Sequence, residues 1–209
     1  MIPPLEALQR LREGNQRFAS GDRSLDNLQM LTRRDALLAG QTPFAVIIGC
    51  SDSRVPVEII FDQGLGDLFV IRVAGNVVAP SQIGSVEFAA EKFGTRLVVV
   101  MGHTRCGAVQ ATLEELQRPT ESQSRNLRSI VDRIRPSVEG LLATELRNNK
   151  QELTEQAVRA NVRVAANNLR HGSEILESLI DHDELLVVGA EYSLETGIVD
   201  FFDGMPDSG

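Results

Sequence analysis

Four short apolar runs, at residues 44–50, 68–74, 96–102 and 185–190, constrain this chain more than any other feature. They lack polar alternation, as in Val46-Ile47-Ile48 and Leu97-Val98-Val99-Val100-Met101, and Arg72 interrupts the second. Runs of this length and pattern suit strands buried on both faces. The stretches between them read as helices. Residues 81–93 form one, closed by Gly94, and residues 107–117 form another, stopped by Pro119. A long helical region follows with a break at Pro136, and residues 151–180 then carry Leu153, Val158, Val162, Ala165 and Leu169 on one face. Thr196-Gly197 separates the fourth run from a last strand at 198–202. Strand and helix alternate, which predicts an α/β fold. Its mostly parallel sheet has the order 2-1-3-4 plus an antiparallel edge strand, flanked by helices.

The first forty residues precede the first strand. Pro3-Pro4 opens a helix with Leu5, Leu8, Leu11 and Phe18 at helical spacing before Gly21. Asp26 caps a second helix carrying Leu28, Leu31 and Leu38 and ending at Gly40. Residues 1–40 read either as an arm that packs on a partner subunit or as cover for one face of the sheet. Residues 41–209 form the α/β core, and residues 1–209 a single domain.

Charge and cysteine content narrow the function. The 21 Lys and Arg against 29 Asp and Glu leave −8, which argues against a nucleic acid or an anionic membrane as partner. Two cysteines cannot build a disulfide framework or a four-cysteine zinc module. The start of the chain lacks a basic segment followed by an apolar core, and no apolar run approaches the roughly 18 residues of a membrane span. The expected location is therefore cytoplasmic and reducing.

Both cysteines sit just past strand ends, Cys50 in Cys50-Ser51-Asp52-Ser53-Arg54 and Cys106 in Gly102-His103-Thr104-Arg105-Cys106-Gly107. Ligands of open α/β sheets bind at the carboxyl ends of strands where the strand order reverses. At the entry to a helix, the three-residue spacing of His103 and Cys106 brings both side chains to one side. Two sulfurs and an imidazole suit zinc and leave its fourth position open, the pattern of a catalytic site. Each residue alone has a blander reading, since a free cysteine packs as a small hydrophobe. Asp52 and Arg54 can act as an activating dyad, as a latch in which Asp52 closes the metal site, or as a structural ion pair. Arg72, Arg105, His171 and His182 receive no catalytic assignment.

These two motifs, with residues 62–76 between them, resemble the β-class carbonic anhydrase family. The resemblance is specific from about Gln41 to Val109 and looser beyond. It implies zinc-dependent reversible hydration of carbon dioxide to bicarbonate and a proton, by attack of zinc-bound hydroxide on CO2. One zinc ion per subunit is held by Cys50, His103 and Cys106, with Asp52 and Arg54 as the catalytic dyad. The family's substrate-polarising glutamine, which often reaches across a dimer interface, matches Gln41, and its aromatic pocket wall matches Phe69. Apart from the resemblance, either Gln41 or backbone N–H groups near Gly107 can donate to the CO2 oxygens as charge develops on them. The resemblance also implies a homodimer or homotetramer whose N-terminal helices wrap the partner. A subset of the family with a regulatory bicarbonate pocket has Trp where this chain has Ile47. Arg72 and Tyr192 match the rest of that pocket, but the chain has no Trp, which argues against regulation in that form. The rival readings are a zinc hydrolase of carbonyl sulfide or carbon disulfide on the same scaffold, and a catalytically silent zinc- or bicarbonate-binding protein.

Overall fold

Each of the apolar runs forms a strand. β1 (Ala45–Gly49), β2 (Leu68–Arg72), β3 (Leu97–His103), β4 (Leu186–Tyr192) and β5 (Val199–Asp203) make one sheet in the order β2-β1-β3-β4-β5. The structure, a computed structural model, describes residues 2–22, 34–119 and 124–206. The first four strands are parallel and β5 runs antiparallel to β4, as the alternation predicts. β1 and β3 are buried along their whole length, which is why their sequences show no alternation.

Successive side chains of each strand nevertheless go to different layers. Ala45, Ile47, Leu97, Val99, Met101, Val188 and Ala190 share a core with α1 (Pro4–Ser20) and α2 (Val57–Ile60). Val46, Ile48, Val98, Val100 and Val187 face the opposite way. They meet α3 (Pro80–Lys92), and beyond it Leu169 and Leu176 from the two helices that end the helical part of the chain. Between α3 and those two, α4 (Gly107–Gln117) and α5 (Arg125–Val138) form a third cluster. It includes Cys50, Cys106, Val109, Leu113, Ile134 and Val138, and it closes over the carboxyl ends of β1 and β3.

Two local features differ from the sequence expectations, and a third is largely untested. The helix expected over 151–180 is two: α6 (Lys150–Arg170) and α7 (Glu174–Asp181). Gly172 packs where a Cβ would lie 2.3 Å from Asn168 O, and the Ser173 hydroxyl caps α7 by accepting from the Leu176 amide. Pro136 does not break α5, which runs on to Val138. The fully buried Ile134 and Val138 hold that last turn against the core. The helix expected to end at Gly40 lies largely outside the described residues, Asp26, Leu28 and Leu31 included. Leu38, in a 3₁₀ turn at Leu37–Ala39, is 84% exposed.

Of the first forty residues, α1 lies on the chain's own sheet. Ala7, Leu8 and Leu11 are buried there, and Gly14 approaches so closely that a Cβ would lie 1.9 Å from Phe61 O. Asn15, buried beside it, donates to Ile60 O and Gly197 O and accepts from the Val199 amide.

Candidate metal centre

The register of β1 against β3 aligns Gly49 with Met101, so the next residues of both strands emerge side by side. Cys50 is the first residue past β1, His103 is the last of β3, and Cys106 is the residue before the first turn of α4. All three are buried, and their ligand atoms lie within 4.8 Å of one another. The spacing expectation holds by a different route from one helical face. Arg105 adopts φ 57, the left-handed region that costs a non-glycine residue, and reverses the chain between His103 and Cys106.

A second turn supports the other sulfur. Gly75 takes φ 68, which glycine adopts without strain, and its amide donates to Cys50 Sγ at 3.3 Å. Arg72 Nε donates to Cys50 O at 3.0 Å and Arg72 Nη2 to Asp52 O at 2.6 Å, so one guanidinium ties down both carbonyls of the loop. The charged interruption of the second apolar run is thus a structural clamp on the ligand loop. Its sequence context carries no sign of that role.

The electrostatics of the three residues call for a cation. The Cys106 thiol, donating to Cys50, draws the Cys50 pKa down to about 4 against the opposing effect of burial. The same contact, with burial, pushes Cys106 up, and the amides of Val109 and Ala108 pull the other way. His103 Nδ1 lies 2.9 Å from Thr104 O, and a carbonyl can only accept, so Nδ1 carries the hydrogen. The other nitrogen, Nε2, is buried without a hydrogen-bond partner among the described residues. Its lone pair faces two sulfurs and the Asp52 carboxylate, whose Oδ2 is 3.9 Å away. A buried acceptor left unpaired among other electron-rich atoms is costly. A soft divalent ion would satisfy all of them.

Asp52 is held back from that group. Arg54 grips it through Nε to Oδ1 at 3.0 Å and Nη2 to Oδ2 at 2.8 Å, and the Arg54 amide adds a third bond. The guanidinium keeps the Asp52 carboxyl well below the usual carboxylate range. Beyond Gly107 a Cβ would meet nothing within 4 Å, so space stays open beside Cys106. Gln41 and Phe69 are not brought to the three ligands within one chain. Gln41 precedes β1 at the far end of that strand from Cys50. Phe69 pairs in register with Val46 and packs with Phe88 and Phe93 at ring separations of 6.4 and 6.0 Å.

Comparison with known proteins gives the same picture over most of the chain. The carbonic anhydrase family model matches residues 45–199. The chain belongs to the β-class carbonic anhydrase family. It is 40% identical over 194 residues to carbonic anhydrase 2 of Mycobacterium tuberculosis, covering 93% of this chain and 90% of that protein. It is 39% identical over 206 residues to the carbonic anhydrase of Mycolicibacterium smegmatis, covering 99% and 97%. Among solved structures, the β-carbonic anhydrase CafA of Aspergillus fumigatus superposes with a TM-score of 0.75 at 27% identity, covering 93% of this chain and 89% of CafA. The family match spans Cys50, Asp52, Arg54, Phe69, His103, Cys106 and Gly107; Gln41 lies just before it. Among the described residues, no helix of this family member is long and apolar enough to cross a membrane.

Proposed function

We propose that the chain catalyses the reversible hydration of carbon dioxide to bicarbonate and a proton, with zinc held by Cys50, His103 and Cys106. The observation that carries this reading is the buried, unpartnered Nε2 of His103 set against two sulfurs in a chain of this family. Two sulfur donors and an imidazole suit zinc, whose borderline softness favours such a set. Zinc held there would supply Lewis-acid chemistry that makes water more acidic and a better nucleophile.

The chain's own groups divide the remaining work. The Thr104 carbonyl fixes the His103 tautomer, so that Nε2 is the ligating atom. Asp52 Oδ2 accepts a hydrogen bond from the attacking water and orients its lone pair toward the carbon of CO2. Arg54 aims that carboxylate and keeps it from becoming a ligand itself. The amide of Gly107 and the side chain of Gln41 donate to the oxygens of CO2 as charge develops on them. Phe69 supplies an apolar wall.

Gln41 and Phe69 lie toward the amino ends of β1 and β2, so both reach a site of this kind only from a second copy. We take the working unit to be a homodimer or a homotetramer built from it. β2 is an edge strand, and Phe88, packed on Phe69, is 50% exposed, so an apolar edge is available for that contact.

Stopped-flow CO2 hydration by the zinc-loaded protein, with zinc quantified in parallel, tests the reading. Turnover proportional to bound zinc and abolished in Cys50→Ser is the expected result. Full zinc occupancy with no CO2 hydration, or with release of sulfide from carbonyl sulfide instead, overturns it.

A further inference from the structure

Glu195 lies in the turn between β4 and β5, about 90 residues along the chain from Cys106, yet its carboxylate closes on the segment between His103 and Cys106. Glu195 Oε2 accepts from the Thr104 hydroxyl at 2.9 Å, and Oε1 meets Arg105 Nε at 2.7 Å. The Thr104 hydroxyl in turn accepts from the Leu194 amide at 3.0 Å, and the Thr104 amide donates to Tyr192 O at 3.0 Å. The segment is thereby stitched to the β4–β5 turn at both residues.

Those two residues are the ones whose carbonyls carry the site. Thr104 O accepts from His103 Nδ1 at 2.9 Å and so sets the ring's tautomer and tilt. Arg105 O accepts from Arg54 Nη2 at 3.4 Å, the same nitrogen that holds Asp52. Arg105 is also the residue in the left-handed region, a conformation that persists only where its surroundings impose it.

We propose that Glu195 is a positioning residue for the metal centre, holding the Thr104–Arg105 turn so that one carboxylate sets both the His103 imidazole and the Arg54 guanidinium. The inference rests on the reading that Cys50, His103 and Cys106 hold zinc. The carboxylate is ionised at neutral pH, since the Thr104 hydroxyl, first among its donors, draws the Glu195 pKa down. Glu195 touches neither the ligands nor the site of reaction, so it acts only through the turn.

The test uses the full-length protein loaded with zinc or with cobalt, as parent, Glu195→Ala, Glu195→Gln, Thr104→Val and the Glu195→Ala/Thr104→Val double variant. Loss of an outer hydrogen bond to a metal ligand typically costs 10–100-fold in metal affinity or activity. Glu195→Ala is expected to release zinc to a chelator about tenfold faster, to shift the visible bands of the cobalt form, and to lower kcat about tenfold with KM nearly unchanged. Thr104→Val should act in the same direction, and the double variant should fall short of the product of the two single effects, because both remove the Thr104–Glu195 contact. Glu195→Gln, which keeps the shape and loses the charge, should fall between parent and Ala; it decides the matter if Glu195→Ala does not fold. Parental zinc release and parental cobalt bands in the folded variants overturn the proposal, as do effects that multiply in the double variant. If the parent binds zinc but does not hydrate CO2, release rates and cobalt bands still decide the role of Glu195 while the reaction reading falls. A parent that takes up no metal overturns both.

Discussion

Arg54 makes two side-chain bonds and one backbone bond to Asp52, and the geometry of its fork decides what a substitution does. A lysine keeps the charge but cannot hold two carboxylate oxygens in one plane. Arg54→Lys is therefore expected to retain zinc and lose about tenfold in kcat, and Arg54→Ala about a hundredfold, since Asp52 is then free to turn onto the ligand group. Stopped-flow rates set beside metal content check both, and near-parental turnover in Arg54→Ala would show the pair to be only a structural contact. Zinc itself should be a stability ligand. At free zinc about 1,000 times its dissociation constant, the folded state gains about 4 kcal/mol, so chelation should lower Tm markedly in the parent. It should not do so in His103→Ala, and calorimetry with and without chelator reads the difference. That Cys50, His103 and Cys106 come together beside the Asp52–Arg54 pair was legible in the sequence because cysteine and histidine are few in this chain and chemically distinctive. Arg72 and Glu195 were not. Both act on backbone carbonyls or on a turn, through contacts created by the fold, and an arginine or a glutamate in isolation looks like any other surface charge.

At the scale of elements, the docking of α1 joins its buried Ala7, Leu8 and Leu11 to two adjacent residues with no apolar side chain. Gly14 allows the close approach to Phe61 O, and Asn15 satisfies three backbone groups from two separate segments. Truncating Asn15 leaves those groups buried and unpaired, and each such loss costs about 1–3 kcal/mol. Asn15→Ala is therefore expected to destabilise the fold by about 3 kcal/mol, after allowance for water reaching part of the gap. Gly14→Ala should destabilise by a similar amount, because backbone must move to admit the methyl group. Urea unfolding monitored by circular dichroism measures both, and a change below about 0.5 kcal/mol in either would mean that α1 is not anchored there. Sequence periodicity finds α1 and all five strands but cannot say what α1 covers, since Leu8 and Leu11 would serve equally against its own sheet or a partner. It also runs through the gap at residues 171–173. The apolar stripe stays in phase from Leu169 to Leu176, and the Gly172-Ser173 pair that ends one helix and caps the next was the signal to be read. Pro136 misled in the opposite direction, because burial of Ile134 and Val138 outweighs one missing amide donor.

Across the whole molecule, the proposed chemistry is split between the two ends of the parallel sheet. The three ligands and the dyad cluster at the carboxyl ends of β1 and β3, while Phe69 lies three residues back along β2 from Arg72, roughly 10 Å at the rise of a strand. Gln41 lies further back still, ahead of β1. If each active site takes its ligands from one copy and Gln41 from another, two inactive variants should repair each other. Cys50→Ser lacks a ligand but still offers Gln41; Gln41→Ala lacks the donor but keeps its ligands. In a two-fold dimer of one copy of each, one site carries both lesions and the other carries neither. Random pairing makes half of the dimers mixed, so co-expression should restore roughly a quarter of parental activity, whereas mixing folded homodimers without exchange should restore almost none. Purification through two different tags isolates the mixed dimer and should raise the recovery to roughly a half. Recovery no greater than the average of the two variants would place Gln41 outside the partner's site, and the catalytic unit would then be a single chain.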